Sequence, residues 1–343
     1  MIDFNDLLLT NVSSIISFKL FLFVILTLLV SLAIDILFGE LPGKIHPVVI
    51  IGSIIDFFKQ KFIKIKNKTS GLLVVICVFA LISFILYLIY LISSINIIFL
   101  FIVFTILLSS TYSVNMLLKT AIDVKHDLNQ SIDKARKSVS YLVSRNTDEL
   151  TESYIVSAVI ESLTENITDS YVAPVFYFFV FAIIILLNPI NDCLYYLLLI
   201  PMLYRASNTM DAMLGYKTDE LIKIGYIPAK LDDILNYIPA RISGLLVVIS
   251  SFLLNLDGKS SFNVMIRDAR KCPSPNSGYT MASTAGALNI QLIKKDTYIL
   301  GDDNKVIVAD DISKAVKLSK LTIILFTIIM IIIFILVYVI LWK

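Results

Sequence analysis

The chain has 343 residues, 57% of them hydrophobic and only 16% charged, with a net charge of +2. Soluble domains carry about 25% charged residues; with a mean hydropathy of +0.86, this composition excludes an ordinary water-soluble globule, and no nucleic-acid partner is expected. Cys77, Cys193 and Cys272 lie far apart in the sequence, without the spacing of a disulfide framework or a structural zinc site.

An uncharged apolar run of roughly 20 residues crosses the bilayer as a helix. Leu20–Phe38 is the first such run, interrupted only by Asp35. No basic segment or small-residue cleavage site accompanies it, so it reads as a retained span. Gly71–Leu118 is uncharged for 48 residues, about 72 Å as one helix, which is too long for one crossing. The polar group Ser93-Ser94-Ile95-Asn96 divides it into a hairpin. Val172–Tyr204 is apolar around a turn-like centre, Asn188-Pro189-Ile190-Asn191-Asp192. Ile242–Leu256 is short for a span, and Leu321–Trp342 crosses without a single charge.

The expected architecture is all-α and polytopic, a single membrane-embedded catalytic domain with six spans near 18–38, 71–92, 97–118, 172–187, 190–204 and 321–342. Lysines 59, 61, 64, 66 and 68 precede the hairpin, and basic residues mark cytoplasmic loops. Segments 39–70, 119–170 and 205–320 are therefore expected in the cytoplasm, with both termini outside. Apolar spacing predicts helices over Asn129–Tyr141 and Thr147–Leu163, with Thr147 at an N-terminus. Val306-Ile307-Val308, between acidic clusters, suggests a small β excursion within 298–312.

Four constellations could carry chemistry. In Glu161-x3-Glu165-Asn166-x2-Asp169 the carboxylates fall along one face of a continuous helix. Their mutual repulsion beside a span favours a cation or an incoming basic substrate opposite them, and removing a charge should relieve strain. Such a run on a solvated face is the plainer alternative. Arg205-x2-Asn208-x2-Asp211 and Lys230-Leu231-Asp232-Asp233-x2-Asn236, followed by Arg241, are oxygen-rich sets suited to Mg²⁺ and phosphate. Asp232 and Asp233, with Asn166, are the candidate metal ligands; helix capping and interfacial anchoring are the alternative. In Arg267-Asp268-Ala269-Arg270-Lys271-Cys272-Pro273-Ser274-Pro275-Asn276, guanidinium forks stand beside a rigid turn. Arg267, Arg270, Lys271, Ser274 and Asn276 are candidate phosphate ligands there, against a lipid-headgroup patch. The fourth motif joins Asp35, Glu40 and His46, with no role assigned. No P-loop, GxGxxG or HExxH is present.

In this order the motifs resemble the CobD/CbiB family, the adenosylcobinamide-phosphate synthases of cobalamin biosynthesis. The matching stretches are Asp35–Gly52, Ala135–Thr147, Ser157–Phe176, Tyr204–Gly215, Ala229–Arg241 and Arg267–Leu288. Departures fall at Glu40-Leu41-Pro42, Ser144 and Cys272. The resemblance implies an ATP- and Mg²⁺-dependent amide ligase of the cell membrane, its active site facing the cytoplasm. It would join a propionate carboxylate of adenosylcobyric acid to (R)-1-amino-2-propanol phosphate. Glu161, Glu165 and Asp169 are then candidates for the catalytic base, and Arg205, Asn208, Asp211, Arg241, Arg267 and Arg270 for substrate or phosphate binding. A complex with other corrinoid-pathway membrane enzymes is left open. Two rivals remain at this stage: a Mg²⁺-dependent membrane transferase acting on a diphosphate, and a corrinoid-binding scaffold or transporter without chemistry.

Overall fold

The computed structural model describes residues 4–65, 67–143, 145–187, 194–216 and 218–341, with side chains from Ser17 onward. The expected turn at Asn188–Asp192, together with Ser144 and Cys193, lies outside the described residues.

The chain is almost entirely helical. In order it forms α1 (Phe4–Phe38), α2 (Pro47–Phe62), α3 (Lys68–Ser93), α4 (Ile97–Ser109), α5 (Val114–Gln130), α6 (Ile132–Ser140) and α7 (Glu152–Ile167). A π turn at Thr168–Val172 leads into α8 (Ala173–Leu187). Then follow α9 (Leu194–Leu214), α10 (Tyr226–Leu235), α11 (Tyr237–Leu253), α12 (Gly258–Asp268), α13 (Gly278–Leu288), strands β1 (Gln291–Lys294) and β2 (Tyr298–Gly301), and α14 (Ala309–Leu341).

Local chemistry explains the boundaries. Asn96 accepts hydrogen bonds from the N–H groups of Ile98 and Phe99 at 2.8 and 3.2 Å, so the long uncharged run breaks at a cap that starts α4. Thr147 does not start a helix. Its carbonyl closes a turn onto Leu150, and α7 begins five residues later at Glu152, behind Thr151. The π turn has a similar cause. Pro174 has no N–H to offer the carbonyl of Ser170, and that carbonyl accepts from Ser113 instead, at 3.0 Å.

Five helical stretches among the described residues are long and apolar enough to cross a membrane: Ser17–Phe38, Lys68–Ser93, Ile97–Gln130, Glu152–Leu187 and Ala309–Leu341. A sixth candidate is the pair α10 and α11, bent by 48°. The expected span at 190–204 lies partly outside the described residues, and none is expected at 242–256. The helix there, α9, carries Arg205, Asn208 and Asp211 in its second half, which lowers its apolar character, whereas α10 supplies the length that 242–256 lacks alone. Outward positions on these helices are apolar: Leu26 and Leu29 on α1, and Ile76 and Phe84 on α3, are all exposed. Such faces suit hydrocarbon, where burying them against protein gains little.

The chain divides into two compact units, the first being 1–112, 174–229 and 328–343 and the second 113–173 and 230–327. In the first, α2 packs on α3 and α9, and α1 on α4. Gly71 lets α3 approach the Ile224 carbonyl, which a Cβ would meet at 2.3 Å. The Lys68 ammonium sits 3.5 Å from the centre of the Tyr226 ring.

In the second unit α12 and α13 pack closely because their contact is built from small residues. A Cβ at Gly286 would lie 2.5 Å from the Ser260 carbonyl oxygen. Against α7 and α13 lies the two-stranded antiparallel hairpin, in register Gln291↔Gly301 to Lys294↔Tyr298. Its second strand opens the expected 298–312 segment, whereas Val306-Ile307-Val308 lies outside any strand. Asp296 turns it at φ +57°, a left-handed conformation that Asp tolerates better than most residues. Gly301 ends it at φ +81°, where a Cβ would stand 2.3 Å from the Ile290 carbonyl. Gly301→Ala is therefore expected to cost about 2 kcal/mol through strain and collision, read as a lower Tm in detergent; an unchanged Tm would show that the turn relaxes freely.

Candidate active site

Helix α7, the segment after α6 and the hairpin build one polar cavity in the second unit. Its volume is about 130 Å³, and its walls are Leu142, Val143, Arg145, Ala158, Glu161, Ser162, Glu165, Asn166, Lys294 and Tyr298. The hairpin is fastened to α7 by Ser157, whose hydroxyl accepts the Ile293 N–H at 2.9 Å. Cross-strand pairing sets Lys294 opposite Tyr298, which puts both on one face of the hairpin.

Glu161 is the centre of this network and is almost fully buried. Its Oε1 accepts from the Ser157 hydroxyl at 2.6 Å and its Oε2 from the Tyr298 hydroxyl at 2.9 Å. The Arg145 guanidinium is 3.4 Å from Oε1. Burial, followed by the Glu161 charge, pushes the Tyr298 phenol well above its ordinary range, so it stays a donor. Cys272 is buried as well, and burial together with Glu165 and Glu161 raises its thiol to about 12. A thiol that stays neutral there does not serve as a proton acceptor at neutral pH.

The cavity gathers three of the predicted residues, Glu161, Glu165 and Asn166. Asp169 is not among its walls. Asp169 lies two helical turns, about 12 Å, along from Glu161, in the π turn that begins at Thr168. Sequence reasoning passed over Arg145, Lys294, Tyr298 and Ser157. Ser157 was detectable, since it precedes Glu161 by four residues on one helix. Lys294 and Tyr298 depend on a hairpin register that no motif announced.

The Arg267–Asn276 segment is held together by its own contacts. Arg267 grips Asp268 with two bonds of 2.8 Å and reaches Asp302 at 2.9 Å; these hydrogen bonds raise its pKa further. Lys271 meets Asp268 at 2.6 Å. A phosphate at Arg267 must therefore compete with carboxylates already in place. Arg270 is exposed. Ser274 accepts from the Asn276 N–H, and Asn276 donates to the Asp233 carbonyl while accepting from Arg241 at 2.9 Å. The Arg241 guanidinium also lies 3.5 and 4.4 Å from the ring centres of Tyr237 and Tyr279. These contacts fix the Pro-Ser-Pro-Asn turn.

Asp232 accepts from Asn236 at 3.0 Å, and Asp233 pairs with Lys230. Among the described residues no three His, Cys, Asp or Glu side chains converge as a metal cage. That donor set does not fit a resident metal held by protein alone; Mg²⁺ carried on nucleotide phosphates needs only one or two carboxylates.

In the first unit Arg205 donates to Asn208 at 3.3 Å. Gly215 packs against Asp211, whose Oδ1 would lie 2.2 Å from a Cβ. His46 caps α2, its Nδ1 accepting the Val48 N–H at 3.2 Å. Burial lowers its pKa, with Glu40 opposing and Arg205 assisting. Asp35 is buried near the end of α1, where its carbonyl accepts from Gly39.

The CobD/CbiB protein family matches residues 28–319. A protein of Methanothermobacter thermautotrophicus described as "Probable cobalamin biosynthesis protein CobD" is 43% identical over 303 residues, covering 88% of this chain and 95% of its own. Proteins of the same description from Methanococcus aeolicus and Methanothrix thermoacetophila are 41% and 36% identical. They cover 80% and 85% of this chain, and 86% and 90% of their own lengths. No solved structure matches the chain.

Proposed function

Because the chain belongs to the CobD/CbiB family of cobalamin biosynthesis, we propose that it is the ATP-dependent ligase joining adenosylcobyric acid to (R)-1-amino-2-propanol phosphate. The observation that carries this reading is the α7–hairpin cavity, which combines two carboxylates with two cations in one half-open polar space. Amide formation needs three things from a protein: a hold on charged reactants, a proton acceptor for the ammonium, and donors for the charge that develops on oxygen. Arg145 and Lys294 supply positive charge, and Tyr298 is a hydroxyl donor that stays protonated. Both oxygens of Glu161 receive hydroxyl hydrogens, and Arg145 adds to one of them, so Glu161 orients its neighbours. The ammonium proton then passes to Glu165, one turn along the same helix.

ATP is a substrate of this reaction and supplies the activation of the carboxylate, with Mg²⁺ entering on its phosphates. The basic residues before α3 and along 119–170 support a cytoplasmic reacting side. Purified protein in nanodiscs, given adenosylcobyric acid, aminopropanol phosphate and Mg-ATP, should form one amide per ATP cleaved, read by mass spectrometry. Corrinoid binding without ATP-dependent product would support a scaffold, and transfer of a diphosphate-linked group would support a transferase; either would displace the ligase.

A further inference from the structure

Helix α2 joins two spans without being one. It has 16 residues, fewer than the roughly 20 that a crossing needs. One of its faces is committed: Ile51 and Ile55 are buried, and the helix packs on α3 and α9. The opposite face is apolar yet uncovered. Val49, Ile50 and Phe57 are 48–61% exposed. With Ser53 between them they follow at spacings of three and four, which places them along a single strip. Lysines bracket that strip. Lys44 is exposed before it, and Lys61 and Lys64 are exposed after it. None of the three makes an ion pair among the described residues. Asp56, the one acid in 41–70, accepts instead from Gln60 at 2.6 Å.

Two observations point to lipid as what covers this face. Lys68 opens the Lys68–Ser93 span, and basic residues at span ends stand at the level of the headgroups. Only the short turn around Ile63–Ile65 separates Lys68 from α2, which brings Lys61 and Lys64 near the same level. Just beyond Lys68, Leu72 and Ile76 are exposed on α3, so the surface that suits hydrocarbon resumes at once. An apolar strip bracketed by cations is the pattern of a helix lying in the plane of the interface. Lysines without carboxylate partners there attract anionic headgroups, while their stems lie along the apolar boundary. We propose that α2 lies along the membrane interface, with Val49, Ile50 and Phe57 entering the acyl boundary and Lys61 and Lys64 binding the phosphates of anionic phospholipid. The assignment does not depend on which reaction the protein catalyses.

Trp342 is the chain's single tryptophan, so the full chain carrying Trp342→Phe and Phe57→Trp has one fluorescent reporter, on α2. The test places it in nanodiscs of equal parts phosphatidylcholine and phosphatidylglycerol, with one lipid or the other brominated near the top of its acyl chains. Both lipids should quench the tryptophan. Brominated phosphatidylglycerol should quench as if it were at least fivefold more abundant beside the helix, since one interfacial lysine contributes about that factor. Adding Lys61→Gln and Lys64→Gln should bring the two lipids to equal quenching. Equal quenching before the lysines are changed would overturn the proposal, and so would a preference that survives their removal. Quenching only by bromines placed deep in the acyl chains would mean that α2 does not lie at the interface. A tryptophan reached by aqueous iodide and by neither lipid would put the face in water, free for a protein partner, and would sink the lipid assignment altogether.

Discussion

Asp268→Asn is expected to lower stability at neutral pH by about 2 kcal/mol and to remove one acid-sensitive component of folding. Asp268 is wholly buried, and burial alone would raise its carboxyl. Hydrogen bonds from Arg267, Lys271 and the Gly301 N–H outweigh that effect and hold it at about 2. Breaking a buried ion pair costs about 3–5 kcal/mol when the surviving charge is stranded. Here the side chains of Arg267 and Lys271 are about half exposed and rehydrate, which reduces the figure. A depressed carboxylate stabilises the fold above its unfolded pKa, near 3.8, and that contribution fades as pH falls toward 2. The Tm difference between wild type and Asp268→Asn should thus be full at pH 6 and shrink below pH 4. A difference that stays constant from pH 6 to pH 2.5 would mean that the charge of Asp268 contributes nothing to the fold.

The same cluster marks how far residue patterns carry. The helical membrane architecture is legible because hydrocarbon demands long uncharged runs, and Ala309–Leu341 and Lys68–Ser93 have no other use for them. The break before α4 is legible because Asn96 is a residue type that caps helices. What was not legible depends on tertiary pairing. The acidic run on α7 looked like three repelling charges, but Glu161 is met by donors from Ser157, Tyr298 and Arg145, and Asp169 is not among the cavity walls. Arg267 looked like a phosphate fork because nothing in the local spacing shows that Asp268 folds back onto it or that Asp302 arrives from beyond the hairpin. Lys294 and Tyr298 are ordinary residues until the register Lys294↔Tyr298 brings them beside Glu161. Local patterns thus single out segments, while the contacts within them come from partners far away in the chain.

Glu161→Gln is expected to abolish turnover and to lower stability, the reverse of what a run of repelling carboxylates suggests. On the sequence alone, removing one of three neighbouring negative charges should relieve strain. In the structure three donors converge on Glu161: the Ser157 hydroxyl, the Tyr298 hydroxyl and the Arg145 guanidinium. A glutamine offers one acceptor oxygen where two are used, and its NH₂ points a donor at a donor. The Ser157 hydroxyl already accepts the Ile293 N–H, so rearranging it loosens the attachment of the hairpin to α7. Arg145 also loses its countercharge. Together these changes are expected to cost about 2 kcal/mol, with amide formation falling at least a hundredfold because Tyr298 and Lys294 drift from the cavity. Tyr298→Phe removes one donor and leaves the charge, so its loss of stability should be nearer 1 kcal/mol. Because both changes act through one hydrogen bond, the double variant should cost less than the sum of the two. Thermal unfolding of the four proteins measures that coupling. Strict additivity would show that Tyr298 and Glu161 act independently, and a Tm raised by Glu161→Gln would restore the picture of carboxylates that merely repel.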